Sequence, residues 1–299
     1  MNQEEKNASV TGAQKRKRNI RNQAITRAAI QCIFFITMPG AFAAGFSGVK
    51  YLFQTIGDVE VLELNSFVKA LIGLGIFTIL FGRYFCGYVC AFGSLGDFIY
   101  WLSGLLQAKV FKRKRQIVIP KAALTWLQKI KYFLLIAIII LCTMGMYGAV
   151  SGTSPWEIFS HFMALKGVPS GYMAGVILLI LIMIGMAFQE RFFCQFLCPM
   201  GAVFSLLPIL PWSIPGRKKD ECISGCNVCS GQCPAGLKPE TDGFRTGECI
   251  GCEKCVAVCP RGNISYSGQK LISNALIWIA AKAIVFFALG VWLGFCRFF

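Results

Sequence analysis

Cys222–Pro260 decides how the chain is read: CISGCNVCSGQCP, then after a short connection CIGCEKCVAVCP. Eight cysteines fall within 38 residues, and each set of four closes on Cys-Pro. The second set, Cys249, Cys252, Cys255, Cys259 and Pro260, matches the C-x2-C-x2-C-x3-C-P spacing of iron–sulfur ligands residue for residue. The first, Cys222, Cys226, Cys229, Cys233 and Pro234, differs by one extra residue, Ser224 or Gly225. Disulfides would disperse the cysteines of a secreted chain rather than gather them into two such sets. Zinc uses paired Cys-x2-Cys units but does not call for three close cysteines plus a Cys-Pro in each set. Two [4Fe–4S] clusters are the reading that uses every residue of the pattern.

Outward from this stretch the chain changes character. Of 299 residues 56% are hydrophobic, 26 are phenylalanine and only 15% are charged, with a mean hydropathy of +0.60. That composition excludes an ordinary soluble domain and describes a membrane protein with a small polar module. The formal charge of +16 gathers in blocks beside apolar spans, as expected of bases retained on the cytoplasmic side, and does not indicate nucleic acid. Fifteen cysteines against a single histidine favour thiolate ligation in a reducing compartment.

Taken in order, residues 1–23 are a polar, basic tail (KRKR at Lys15–Arg18, then Arg21), expected to be disordered and cytoplasmic. The first apolar stretch, 24–45, has the charged and apolar parts of a signal peptide but is read as an uncleaved span. Residues 46–66, with Asp58, Glu60 and Glu63, suit the outer side, and a second span follows at 67–81. The motif RYFCGYVCAF then leads into an apolar 15-mer, short for a span of roughly 20 residues and therefore expected to be re-entrant or interfacial. KVFKRKRQ at 109–116 is cytoplasmic by the same charge rule. Spans three and four lie near 124–150 and 171–188, separated by a mostly uncharged loop carrying His161, read as a surface loop residue. A fifth span lies near 271–295 and contains Lys282, expected to face the bundle because a charge in lipid is costly. An even number of crossings between basic blocks places the N-terminus and the cysteine-rich module in the cytoplasm and the C-terminus outside the cell membrane.

The membrane part repeats itself. Arg83-Tyr84-Phe85-Cys86 through Cys90-Ala91-Phe92-Gly93 overlies Arg191-Phe192-Phe193-Cys194 through Cys198-Pro199-Met200-Gly201 at a shift of 108 residues. Two spans separate equivalent points, so the halves share one orientation and form a parallel repeat. Both Cys-x3-Cys pairs then reach one face, each pair on one side of a helical turn. Cys86, Cys90, Cys194 and Cys198 are candidates for a third iron–sulfur centre. A redox dithiol, another metal ion and simple packing remain open. Cys32, Cys142 and Cys296 read as fillers. Arg83 and Arg191, three residues before each first cysteine, either offset a thiolate-bound centre or snorkel to the interface.

The expected organisation is therefore a polytopic α-helical membrane protein of about five spans with an inserted cytoplasmic two-cluster ferredoxin-like α+β domain. Its parts are the tail 1–23, a first repeat 24–108, a basic linker 109–123, a second repeat 124–212, the module 213–268 and a C-terminal helix 269–299. In two-cluster ferredoxins the last cysteine of each run serves the other cluster. That assigns Cys222, Cys226, Cys229 and Cys259 to one cluster, and Cys249, Cys252, Cys255 and Cys233 to the other.

RFFCQFLCP, CISGCNVCSGQCP and CIGCEKCVAVCP together resemble the NapH/NosR-type polytopic membrane ferredoxins over roughly residues 67–265. The first membrane motif departs from the pattern in having Ala91 where the second has Pro199. The resemblance implies an electron-transfer subunit working between a cytoplasmic or quinol donor and a membrane or extracytoplasmic redox partner. The implied partners are the bilayer, redox proteins, quinone, or an extracytoplasmic flavin or heme protein. A metal-handling or maturation factor that reduces a metal ion held by the membrane cysteines is the alternative, and a transporter a weaker one. No acid–base or nucleophilic constellation marks a stand-alone enzyme.

Overall fold

The computed structural model describes residues 3–111, 121–164, 167, 170–218, 220–239, 244, 247–267 and 275–296. Most of the basic linker (112–120), Lys219 and the approach to the last helix (268–274) lie outside the described residues.

The N-terminal tail is not irregular. Helix α1 runs from Gln3 to Thr37 without a break, because its sequence is rich in alanine, glutamine, lysine and arginine, all good helix formers. It stops at Met38-Pro39-Gly40, where proline lacks the N–H and blocks the preceding turn. The chain bends by 63° there and resumes as α2 (Ala41–Gly57). The segment expected to loop outside from residue 46 is thus helical to Gly57. It is packed inward through Phe42, Phe46 and Val49, and only the acidic connection 58–65 is non-helical and mostly exposed.

Helix α3 (Ser66–Phe81) starts on Asn65, whose side chain accepts from Val68 N at 2.9 Å. A π-helical turn at Phe85–Val89 carries Cys86, and α4 (Ala91–Phe111) follows. The 15-mer expected to be too short for a span is thus part of a 21-residue helix, since the apolar pattern continues through Gln107 to Phe111 without a breaker. Helix α5 (Lys121–Thr143) and the short α6 (Tyr147–Val150) lead to α7 (Pro155–Met163), which turns the expected loop into a packed element. Proline sits at its start, and Trp156, Ile158 and Phe159 are buried. His161 lies on α7 with Nδ1 buried and unpartnered, not on a surface loop.

After α8 (Met173–Phe188), α9 (Phe192–Phe196) carries Cys194, and α10 (Pro199–Leu206) follows Cys198. The module is closed at its two ends by antiparallel strands β1 (Pro215–Arg217) and β2 (Ile264–Tyr266), in register Pro215↔Tyr266 and Arg217↔Ile264. Between them lie the one-turn helices α11 (Val228–Gly231) and α12 (Lys254–Val258), and α13 (Ala275–Trp292) is the last helix among the described residues.

Among the described residues two helices, Ala123–Thr143 and Ala275–Trp292, are long and apolar enough to cross a bilayer, and the bent α1–α2 pair makes a third candidate. Helices α3 and α8 are apolar but 16 residues long, about 24 Å at the α-helical rise. Phe133 and Ile284, each 69% exposed, show the kind of outward apolar surface that lipid covers.

Candidate functional site

The described structure gathers the module's cysteines into two sets. Cys222, Cys226, Cys229 and Cys259 line one small cavity, with Arg217, Arg261 and Ile264 beside them. Cys233 lies within electrostatic reach of Cys249 and Cys252, and Cys255 within reach of Cys233, Cys249 and Cys252. The last cysteine of each run thus stands with the first three of the other. Gly225 and Gly251, at φ +72° and +63°, supply left-handed turns that wrap the loops around their thiols.

Burial pushes the Cys233 thiol up to about 12 and the Cys249 thiol to about 11, and holds Cys255 well above the ordinary thiol range. Such thiols ligate only when deprotonated, so a cationic core must offset what desolvation costs. None of the fifteen cysteines is joined in a disulfide. Among the described residues no three of His, Cys, Asp and Glu converge tightly enough for one metal ion. Four sulfurs around a single zinc would each sit about 2.3 Å from it, whereas in a cubane each binds a different iron and the ring of thiols is wider. Thiol-only donors enclosing a buried volume fit the cubane.

Cys86, Cys90, Cys194 and Cys198 are buried and come together. Cys198 lies within electrostatic reach of the other three, and Cys90 within reach of Cys86 and Cys194. The second cysteine of each pair stands at a helix start. The Cys198 sulfur accepts from Gly201 N at 3.1 Å and caps α10, with Pro199 in the first turn. Cys90 immediately precedes α4, and the Gly93 N–H reaches its sulfur. Helix N-termini favour thiolates. Ala91 occupies the position of Pro199, so its departure from the motif changes no contact to sulfur.

Both arginines of the repeat are 1% exposed and do not snorkel. Each lies against the first cysteine of its own half and reaches across to the other half. Arg191, held at φ 60°, donates to Asp97 at 2.8 and 2.6 Å, to the Cys86 carbonyl at 2.5 Å and to the Gly87 carbonyl at 3.0 Å. Arg27 of α1 also pairs with Asp97 at 2.7 Å. Arg83 donates to Ser205 Oγ at 3.2 Å and to the Gly247 carbonyl at 2.7 Å, and lies 3.9 Å from Glu248, which also pairs with the fully buried Lys131 of α5.

The set containing Cys233, Cys249, Cys252 and Cys255 is the one pressed onto the membrane motifs. Gly87 packs so closely that a Cβ there would meet the Ile250 carbonyl at 2.7 Å. Tyr88 Oη and Gln23 Nε2 donate to the Cys252 carbonyl at 3.3 and 2.8 Å. Gln195, which overlies Gly87 in the repeat, donates to the Pro234 carbonyl, and Gln128 to that of Ala235 at 3.0 Å. Lys282 is buried as expected. It pairs with Glu253 at 2.5 Å and stands 4.9 Å from the ring centres of Tyr84 and Tyr266. Tyr84 stacks on Tyr88 at 4.5 Å. Sequence reasoning passed over Asp97, Lys131, Glu248 and Glu253. For Asp97 and Lys131 the available signal was that of Lys282, an ionisable residue in or beside an apolar segment, whereas Glu248 and Glu253 lie in the polar module and carried no such mark.

Comparison with known proteins agrees with this chemistry. A 4Fe–4S binding domain family matches residues 67–117 and 172–211, which contain the two membrane motifs. Another 4Fe–4S binding domain family matches 244–265. An uncharacterised protein of Methanocaldococcus jannaschii is 29% identical over 81% of this chain and 87% of its own length. YccM of Escherichia coli, a putative electron transport protein, is 28% identical over 87% of this chain and 70% of its own length. NapH of Haemophilus influenzae, a ferredoxin-type protein, is 28% identical over 72% of each chain. No solved structure matches.

Proposed function

We propose that this chain, which belongs with NapH among the membrane-associated 4Fe–4S ferredoxin-type proteins, relays electrons through three iron–sulfur centres in a fixed order. The outermost is held by Cys222, Cys226, Cys229 and Cys259. The middle one is held by Cys233, Cys249, Cys252 and Cys255, and the innermost by Cys86, Cys90, Cys194 and Cys198. When bound, such groups supply one-electron transfer and no acid–base chemistry.

The observation that carries the reading is the convergence of the four membrane cysteines, flanked by two buried arginines, in motifs that pack against the segment carrying the middle set. Charge supports it. A cubane core with four thiolates leaves a net charge of about −2, which is costly in a low-dielectric site. Arg27, Arg191 and Asp97 form one group of net charge +1, and Arg83, Lys131 and Glu248 form another. Together they balance it.

Five crossings follow if the α1–α2 pair, α3, α5, α8 and α13 each span the bilayer. Basic tail, basic linker and module then lie on the cytoplasmic side of the cell membrane, with the C-terminus outside. The domain boundaries at 23, 108, 123, 212 and 268 belong to the same proposal. The work of the chain is then that of an electron-transfer subunit between a reductant at the module and a redox partner in or across the bilayer.

Anaerobic purification with iron and sulfide quantified, on wild type and on the variant with Cys86, Cys90, Cys194 and Cys198 all changed to serine, tests the centre count. About twelve iron atoms falling to about eight is expected. About eight in both samples would sink the membrane centre, and copper retained by wild type but lost in the variant would favour the metal-handling reading.

A further inference from the structure

We infer that Glu248 of the ferredoxin module completes the membrane four-cysteine site, supplying through Arg83 the carboxylate that the second half of the repeat lacks. The inference rests on the reading that those cysteines hold an iron–sulfur centre.

The repeat provides the argument. Arg191 reaches across to Asp97, and its counterpart Arg83 reaches across to Ser205. The 108-residue shift that superposes the two motifs carries Asp97 onto Ser205. The two interactions are therefore the same interaction, made once with a carboxylate and once with a neutral hydroxyl. The glycines follow the same crossing. A Cβ on Gly93 would run into Arg191, and one on Gly201 would lie 3.2 Å from Arg83.

Each arginine also shares its carboxylate with a second cation from the first helix of a half. Arg27 of α1 serves Asp97, and Lys131 of α5 serves Glu248. Both cations of the first group thus have counterparts in the second, whereas its carboxylate does not. Ser205 occupies the equivalent place, and Glu248 enters from outside the repeat to supply the missing charge. Tyr132 Oη fixes it by donating to Oε1 at 2.8 Å.

Without Glu248, Arg83 and Lys131 would be two buried cations with no carboxylate between them, and the charge around the membrane set would rise by one. Glu248 also immediately precedes Cys249, so one short segment joins the middle set of cysteines to the charge balance of the membrane set. Docking of the module and tuning of the membrane site are one contact.

The test uses the full chain in detergent under anaerobic conditions. The readout is the midpoint potential, by EPR-monitored titration, of the signal that disappears when Cys86, Cys90, Cys194 and Cys198 are changed to serine. Removing a negative charge favours reduction, so Glu248→Gln is expected to shift the reduction equilibrium about tenfold towards the reduced form, about 59 mV upward for one electron. Ser205→Asp alone should shift it downward. The double variant should return towards wild type, because the carboxylate then stands where the first half has its own. Glu60→Gln, on an exposed connection, is the control and should leave the potential in place.

If the signal is present and neither Glu248→Gln nor Ser205→Asp moves it beyond the control, Glu248 has no such role and the three-centre reading survives. Failure of Ser205→Asp to restore the potential in the double variant overturns the equivalence. Should Glu248→Gln lose iron on purification, Ser205→Asp alone decides. If the four-cysteine variant loses no signal and no iron, both the inference and the reading beneath it fall.

Discussion

Lys282→Met is the most informative single substitution. In the folded chain Lys282 and Glu253 are 3% and 2% exposed and 2.5 Å apart, with Glu253 held in the left-handed region one residue after Cys252. Burial raises the Glu253 carboxyl, and Lys282 opposes that rise. Removing the lysine leaves a buried carboxylate with nothing to balance it, a change that ordinarily costs about 3–5 kcal/mol. Here protonation limits the penalty. At pH 7 the cost of protonating a carboxyl of ordinary value 4.5 is about 3 kcal/mol, and at pH 5 it is under about 1 kcal/mol. The sign follows from linkage: the variant's folded-state value lies above the unfolded one, so stability is intact below about pH 4.5 and is lost as pH rises. Glu253→Gln combined with Lys282→Met removes both charges and should cost far less than Lys282→Met at pH 7. Hydrogen exchange of the amides around residues 250–258, corrected for intrinsic rates, reads the opening free energy locally and avoids treating a membrane protein as two-state. Equal destabilisation at pH 5 and pH 7, or no relief from the second substitution, would show that Lys282 acts by packing over the tyrosine rings and refute the charge argument.

Other outcomes follow from the same contacts. Gly87→Ala drives a methyl into the Ile250 carbonyl and should loosen the module from the membrane motifs, seen as faster proteolysis between residues 207 and 220 with iron in the outermost centre retained. In apo protein at pH 8 the thiolate fraction of Cys233 and Cys249 should be at least about a hundredfold below that of an unperturbed thiol, because burial holds them at about 12 and about 11. Iodoacetamide labelling of these two should therefore rise steeply above pH 10, and rapid labelling at pH 8 would contradict their burial. Cys142→Ser and Cys296→Ser should leave iron content at the wild-type level, since neither residue neighbours the gathered sets. Loss of about four irons from either would implicate a ligand outside the twelve proposed.

What the sequence by itself determined was local. Cluster ligands must follow one another at loop spacings, so Cys222–Pro260 declared its chemistry without any fold. An apolar run long enough for a bilayer declares itself through solvent preference, and the shift of 108 residues is visible letter by letter. Expectations failed where neighbours intervened. Apolar residues 24–45 broke at Pro39-Gly40 because a bent α2 could bury Phe42 and Phe46, and the region of His161 folded because Trp156, Ile158 and Phe159 had a core to enter.

Only the tertiary structure decided which set of cysteines faces the membrane, that the two arginines cross between halves, and that Lys282 meets Glu253. The arginine pairings between halves and the lysine pairing join residues from 29 to 122 positions apart. No periodicity specifies them, because the gain from pairing a buried charge depends on which segments the packing brings together. Sequence marks Arg83, Arg191 and Lys282 as ionisable residues in or beside apolar segments. The fold alone assigns each its partner, since a buried charge persists only where an opposite one has been placed within a few ångströms.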